Sequence, residues 1–130
     1  MAHPQMFRDD DPALARLREL ALALPGAEVK VSHGRPAFFT TKVFAYYGGS
    51  LKANDGWVEH ASCVLVLLEP DEREALLLED RTFVPAYLGP SGWLGIDLPE
   101  LDDVDGWTEV AELLDASFRR TAPGRLVARL

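Results

Sequence analysis

Residue types that can carry out chemistry come closest together at His60, Ser62 and Cys63. A thiol or hydroxyl nucleophile beside an imidazole base is the minimum for covalent catalysis, but an orienting group and an oxyanion-stabilising loop are also needed. Neither a nucleophile elbow nor such a loop flanks these residues. Cys63 also begins an apolar run, where a buried and inert thiol is the ordinary interpretation. The sequence therefore predicts no catalytic residue and a protein that is not an enzyme.

Metal and phosphate sites find equally little support. His60 and Cys63 have the spacing of one zinc-ligand pair, but no second pair follows, and His3 and His33 are isolated. The loop 89–92, Gly-Pro-Ser-Gly, resembles a phosphate cradle in composition. It leads into a strand rather than a helix, however, and no P-loop Lys-Ser/Thr follows it. We therefore predict no metal site and no cofactor.

Segment 82–98 is the most individual part of the sequence, a loop rich in Pro and Gly that leads into an alternating run from Trp93 to Leu98. Tyr87 and Trp93 are its candidates for residues that stack on a small ligand. Aromatic side chains of this kind more often pack in a core or at its rim. Small-ligand binding near these two residues is one of three functions that the sequence leaves open.

The charge distribution leaves open the other two functions, DNA binding and protein interaction. A net charge of −8 opposes non-specific attraction to nucleic acid or to an anionic membrane. Cations nevertheless cluster beside the predicted strands, where aromatic residues are interleaved, and at the end of the last helix. These candidate DNA-binding residues are Lys30, Arg35, Lys42, Lys52, Arg119 and Arg120. Segment 97–115, by contrast, is acidic without any Lys or Arg, which suggests a protein-interaction module, either chaperone-like or self-associating.

Three helices are predicted from apolar spacing and end signals. An N-cap carboxylate at Asp10 or Asp11, followed by Pro12, starts the first helix, and leucines at three- and four-residue spacing continue it. Acidic residues and a proline start the second helix. The third has an apolar face and ends with two arginines that complement the helix dipole. The predicted helices run from Pro12 to Leu24, from Pro70 to near Asp80, and from Asp105 or Gly106 to Pro123.

The strands are predicted from alternation and from β-branched and aromatic enrichment. The predicted strands are 27–32, 37–40, 42–47, 63–68 and 93–98, with turns at 33–36, 48–50 and 53–56. Residues 57–60 are ambiguous, and residues 83–92 are predicted to form a loop. Consecutive hairpins imply a mainly antiparallel sheet, and each helix has one apolar face. We therefore predict an α+β fold, a two-layer sandwich with helices packed on one face of the sheet.

Length and composition fit this fold. A chain of 130 residues with 48% hydrophobic residues suits a single domain over residues 1–130, with residues 1–9 expected to be flexible. Its apolar runs are far shorter than the roughly 18 residues of a membrane span. The N-terminus lacks the features of a secretion signal, and one cysteine fits a reducing compartment. We therefore expect a cytoplasmic protein without a membrane partner.

An ordered set of short motifs resembles the MmcQ/YjbR family of small bacterial proteins over roughly residues 14–130. The motifs are Leu24-Pro25-Gly26, Gly34-Arg35-Pro36-Ala37-Phe38, Lys42-Val43-Phe44-Ala45, Glu69-Pro70-Asp71-Glu72, Pro85-Ala86-Tyr87-Leu88-Gly89, Gly92-Trp93-Leu94, Ser117-Phe118 and Ala122-Pro123. Two positions depart from the family pattern. Ser32-His33 replaces a more usual aromatic residue before glycine, and Phe118 stands where the family typically has tyrosine.

The resemblance implies a compact two-layer fold of the frataxin-like or secretion-chaperone-like kind. It also implies a DNA-binding role through a double-wing arrangement of the sheet, and it supplies no catalytic residues. The leading functional hypothesis is thus a non-enzymatic protein that binds DNA through a local basic and aromatic sheet surface. Protein interaction and small-ligand binding near Tyr87 and Trp93 are the alternatives.

Overall fold

One antiparallel sheet organises the chain in this computed structural model, which describes residues 4–130. The strands of that part of the chain are β1 Glu28–Ser32, β2 Arg35–Phe39, β3 Val43–Ala53, β4 Gly56–Leu67, β5 Thr82–Phe83 and β6 Trp93–Asp97. The helices are α1 Pro12–Leu22, α2 Pro70–Leu76, α3 Val104–Thr121 and α4 Gly124–Val127. The strand order is β1-β2-β3-β4-β6-β5. The predicted α+β fold with an antiparallel sheet is therefore confirmed.

The two faces of the sheet are covered differently. On the helix face, α1 and α3 pack on alternate residues of the strands, including Phe38, Val64 and Ile96, to form the main core. The opposite face, called the loop face below, has a smaller apolar cluster around Leu65 and Trp93. Segment 84–92 covers part of that face. Because β4 is buried on both sides over residues 63–66, the prediction of a central strand there is confirmed.

Asp11, the second of the two predicted N-caps, starts α1. Its Oδ1 accepts a hydrogen bond from the amide of Ala13 at 2.9 Å, and Pro12 occupies the first helical position. The other carboxylate oxygen accepts a hydrogen bond from the hydroxyl of Tyr47 on β3. One carboxylate thus caps the helix and fixes it to the sheet.

The predicted turn at Gly48-Gly49-Ser50 is wrong, because these residues continue β3. The pairing of β3 with β4 shifts at this point: Tyr47 lies opposite Val64, whereas Gly49 lies opposite His60. One residue of β3, Gly48 with a φ of +82°, therefore lies opposite residues 61–63 of β4, so the irregularity is a bulge in β4 and the chain does not reverse at Gly48. Beyond the bulge, residues 49–53 and 56–60 pair only with each other and form a two-stranded arm.

Other element ends differ by a few residues. Helix α2 ends at Leu76 rather than near Asp80, because the hydroxyl of Thr82 donates to the Leu76 carbonyl at 2.8 Å as the chain turns into β5. Thr82 and Phe83 form that short strand, whereas the sequence predicts a loop beginning at Phe83. Helix α3 begins at Val104, capped by Asp103, earlier than predicted.

Residues near both ends of the chain contact the rest of the fold. Beyond α3, Leu126 and Val127 belong to α4 and pack against the main core. Of the N-terminal residues 1–9 expected to be flexible, residues 1–3 lie outside the described residues. Met6 donates a backbone hydrogen bond to the carbonyl of Gly34 at 2.8 Å. The end of that segment therefore contacts the β1–β2 turn.

Ser117 joins α3 to two strands of the sheet. Its hydroxyl donates to the carbonyl of Phe44 on β3 at 2.6 Å and accepts from the amide of Leu67 on β4 at 2.9 Å. The side chain is fully buried. Because both backbone groups have the hydroxyl as partner, helix and sheet are held in a fixed relative position.

Replacing Ser117 with alanine should lower the free energy of unfolding by about 2 kcal/mol, because two buried backbone groups lose their partner. Urea denaturation followed by circular dichroism measures the change. Ser91→Ala is the matched control, since Ser91 is exposed and should change stability by less than about 0.5 kcal/mol. Equal unfolding midpoints for the two variants would show that the Ser117 bridge is not stabilising.

Candidate functional site

A cavity of about 430 Å³ opens on the loop face of the sheet. Its floor is formed by β3 and β4, one wall by residues 85–88, and the other by the β1–β2 turn with Met6. The volume lies within the roughly 300–1,000 Å³ of small-molecule sites. Since the helices occupy the opposite face, the cavity is separate from the main core.

Two adjacent glycines leave space at the floor of the cavity. A Cβ atom added to Gly48 would overlap Nη1 of Arg35, and one added to Gly49 would lie 3.1 Å from Cδ2 of Leu65. Both glycines are buried. The floor is therefore formed by backbone, with the rings and methyl groups of Tyr46 and Leu65 beside it.

The wall formed by residues 85–88 is fastened at both ends. The amide of Ala86 donates to the carbonyl of Ser50 on β3 at 2.8 Å. At the other end, the guanidinium of Arg73 lies 3.4 Å from the carbonyl oxygens of Gly89 and Trp93. These contacts hold the loop over the sheet, so the cavity is a feature of the fold.

Tyr87 lies at the rim of the cavity in an uncommon conformation. Its φ is +65°, and the amide of Leu88 donates to the carbonyl of Ala86 at 2.7 Å across it, which makes a tight three-residue turn. The turn directs the ring outward, where it is 84% exposed and stacks on Trp57 of the arm at a centroid distance of 5.8 Å. Backbone strain of this kind is concentrated at functional sites.

Trp93, the other aromatic candidate, lies behind the cavity. It is buried, and its ring meets that of Tyr46 edge to face at 5.3 Å. Tyr46 lines the cavity, whereas Trp93 does not. The structure thus brings Tyr87 to the site and gives Trp93 the role of supporting a wall residue.

Arg35 lines the cavity. Its Nη2 pairs with Glu59 on the arm, and its side chain is only 12% exposed. Its Nη1 is buried and has no hydrogen-bond partner within residues 4–130. Buried polar groups without a partner are uncommon in folded proteins and call for an explanation. Arg35 is therefore the polar centre of an otherwise mainly apolar pocket.

The other predicted nucleic-acid-binding residues lie elsewhere. Lys30 is on the same face as Arg35, with Nζ 4.6 Å from the ring centroid of Phe39. Lys42 is exposed in the β2–β3 turn, and Lys52 is exposed on the arm. Together with Arg35, these residues are spread along the sheet.

The two arginines of α3 lie on the helix side of the sheet and have local partners. Nε of Arg119 pairs with Asp115 at 2.9 Å. Arg120 donates to the carbonyl of Leu68 and lies 3.7 Å from Glu69. The two basic groups of the sequence therefore do not form one continuous surface.

His60 and Cys63 have structural roles. Nδ1 of His60 lies 2.7 Å from Oδ1 of Asp97, and the imidazole stacks on Phe83 at 3.9 Å, so the arm is held against β5 and β6.

Cys63 is fully buried, and burial, with a smaller effect from the Asp97 carboxylate, raises the pKa of its thiol to about 12. The thiolate that nucleophilic catalysis requires is therefore disfavoured. In the part of the chain that the structure describes, no three His, Cys, Asp or Glu side chains are grouped to hold a metal ion.

Sequence reasoning misses several lining residues, chiefly Tyr46, Gly48, Gly49 and Leu65. The glycine pair has the composition of a turn, although it interrupts a run of aromatic and β-branched residues that resumes at Leu51. Glycine inside a strand pattern indicates a bulge or a close approach of another group, and this signal is present. The pairing of Arg35 with Glu59 spans 24 residues and has no sequence signal.

The architecture defines a class of protein: a small α+β domain with helices on one face of an antiparallel sheet and a ligand-sized pocket on the other. A family model described as YjbR matches residues 22–120. The chain belongs to the YjbR family, as its motifs indicated. A comparison with curated proteins gave no significant match. None of the helices within residues 4–130 is long and apolar enough to cross a membrane.

The raised pKa of Cys63 gives a testable pH dependence. The unfolded thiol loses its proton near pH 8.5, whereas the folded thiol keeps it to about pH 12. The unfolded state therefore binds fewer protons between these values, and stability should fall as the pH rises, by up to about 1.4 kcal/mol per pH unit from this group.

Urea denaturation at pH 7.5 and pH 9.5 measures this dependence, and both values lie below the ordinary pKa of tyrosine. Cys63→Ala is the control that should lose less stability over the same interval. The native thiol should also react with a disulfide reagent at pH 8 at least about a hundredfold more slowly than the urea-unfolded chain. Equal labelling rates would contradict the burial of Cys63.

Proposed function

We propose that this protein binds a small organic molecule in the pocket on the loop face. The observation that carries the proposal is a mainly apolar cavity of about 430 Å³ with one guanidinium in its wall. Ligand sites are typically concave, largely apolar and equipped with a few polar groups that fix orientation. The strained, exposed Tyr87 at the rim adds support, since it is placed to contact a bound molecule.

We further propose that the protein acts by binding and not by catalysis. The imidazole of His60 is engaged with Asp97 and Phe83, and it does not line the pocket. The thiol of Cys63 is buried and protonated at neutral pH. Neither group is therefore placed to act on a molecule bound between β3 and residues 85–88.

An uncharged aromatic probe tests the pocket alone. Naphthalene-1-acetamide should bind the wild-type protein, and saturation-transfer NMR at millimolar probe should detect it. Ser50→Trp places an indole in the cavity from a lining position and should abolish the signal. Ser91→Trp is the matched control, because Ser91 is exposed and outside the lining, and it should bind as the wild type does.

Two outcomes of this experiment count against the pocket. One is the absence of binding to the wild-type protein by both this probe and its carboxylate analogue. The other is equal saturation transfer in the Ser50→Trp and Ser91→Trp variants, which would place the probe elsewhere on the surface.

DNA binding is the second candidate, and one observation favours it. The β3–β4 arm projects beyond the neighbouring strands, and at its end Lys52 lies opposite the exposed Trp57. A cation and an aromatic ring on a hairpin suit contact with a nucleic-acid backbone and bases. The pairing of Arg35 with Glu59 makes it less suited to a phosphate contact than Lys30, Lys42 and Lys52.

A duplex titration at 50 mM salt, followed by fluorescence anisotropy, tests this candidate. Removing Lys30, Lys42 and Lys52 together should weaken binding and reduce the slope of log K against log salt by about 0.9 for each phosphate that the variant no longer neutralises. The control variant replaces Arg125 and Arg129, exposed cations near the C-terminus, with alanine. No binding by the wild-type protein, or equally weakened binding in both variants, would count against DNA as the partner.

Protein interaction stays a prediction. The residues that suit it are on β1, an edge strand whose Val29 and Val31 are 39% and 62% exposed. Exposed edge strands can add a strand from another chain. The acidic segment 97–115 spans the end of β6, the connector that follows it and part of α3. In the sheet, three strands separate β6 from the β1 edge.

A further inference from the structure

We infer that the ligand of this pocket carries a carboxylate on an apolar body and that Arg35 binds the carboxylate. The inference rests on the proposed function, because it names the class of molecule that the pocket accepts. Three observations support it: the geometry of Arg35, the contact of its guanidinium with Gly48, and the residues that form the cavity walls.

The guanidinium of Arg35 is only partly satisfied. Nη2 is paired with Glu59, whereas Nη1 is buried and has no partner in the described part of the chain. Guanidinium is a planar fork of five N–H donors that remains charged at every accessible pH. Leaving such a donor buried and unpaired is costly, so an acceptor that reaches it gains free energy.

Glu59 does not complete the site. Its side chain is 49% exposed, so its charge is solvated, and it contacts one end of the fork. The pair has no net charge, but the carboxylate engages only Nη2, so N–H donors of the guanidinium are left without an acceptor. A ligand anion placed on the cavity side of Arg35 would engage the donors that Glu59 leaves unused.

Gly48 provides the space for this contact. Nη1 lies against this glycine at a distance that no Cβ atom would permit. Because the guanidinium ends a flexible side chain, the inferred contact requires it to turn away from Gly48 toward the cavity that Arg35 lines. The absence of a side chain at position 48 thus gives the arginine room and also permits the left-handed backbone at this point of β3.

The rest of the wall selects the ligand body. Tyr46, Leu65 and Leu88 present apolar surface, and Met6 and Tyr87 contribute to the rim. No lysine and no second arginine line the cavity within residues 4–130, and the other polar lining side chains include those of Ser32, His33 and Ser50. One guanidinium carries a single positive charge and a planar fork of donors, so it matches a singly charged carboxylate better than a doubly charged phosphate. An aromatic or aliphatic monocarboxylate matches this combination.

The experiment compares two probes of the same shape, naphthalene-1-acetate and naphthalene-1-acetamide, by calorimetric titration. The wild-type protein should bind the carboxylate at least tenfold more tightly than the amide. Arg35→Met keeps the length and apolar stem of the side chain but removes the fork. It should lower the carboxylate affinity at least tenfold and change the amide affinity less than threefold.

For a second variant we expect the affinity for the carboxylate probe to change in the opposite direction. Glu59→Gln retains a hydrogen-bond acceptor for Arg35 and removes the competing negative charge. It should raise the carboxylate affinity about threefold or more and leave the amide affinity unchanged. This gain cannot result from a damaged fold, so it keeps the inference testable even if Arg35→Met is destabilised.

The outcomes separate the inference from the proposed function. Equal affinity of the wild-type protein for both probes, with no effect of Arg35→Met, would overturn the role of Arg35 while leaving the pocket as a binding site. Tighter carboxylate binding that persists in Arg35→Met would overturn it as well. Failure of both probes to bind would overturn the proposed function itself.

Discussion

The close approach of the Arg35 guanidinium to the backbone of Gly48 is the constraint on which the functional face depends. At this left-handed glycine β3 lies opposite a bulge of β4, and the hairpin continues beyond that point as the arm. The same glycine leaves room for the arginine above it, and Glu59 on the arm pairs with that arginine. Any other residue at position 48 would strain the backbone and displace the guanidinium. Gly48 thus lies where the pocket floor, the guanidinium of Arg35 and the start of the arm meet.

The helix face of the sheet carries the stabilising core, and the loop face carries the cavity. On the helix face, Ser117 and Asp11 each use one polar side chain to join a helix to strands, and the apolar core fills the space between them. In the part of the chain that the structure describes, the loop face is covered by segment 84–92, held by backbone contacts and Arg73, with Met6 and the β1–β2 turn on the other side of the cavity. Such a cover leaves a cavity where a helix would have filled it. A small domain can thus keep a close-packed core and still offer a binding site on the same sheet.

Local patterns predicted the fold well, and they failed where long-range geometry decides. Alternation identified β6 and its inward residues Leu94 and Ile96, and the apolar run from Cys63 predicted the central strand. Gly48 and Gly49 have the composition of a turn, and only the pairing with β4 shows that β3 continues through them opposite a bulge. The site could be predicted in part, because Tyr87 and Arg35 were both candidates. Their roles could not, since Arg35 meets Glu59 through strand pairing and Tyr87 reaches the rim through a strained backbone.

A crystal structure of the protein with naphthalene-1-acetate tests the central claim most directly. The account predicts that the naphthalene ring lies between Tyr46 and residues 85–88. It also predicts that the carboxylate lies within hydrogen-bonding distance, about 2.7–3.0 Å, of the Arg35 guanidinium. Density for the probe outside this cavity, or inside it with the carboxylate directed to solvent and Nη1 still unpaired, would contradict the account.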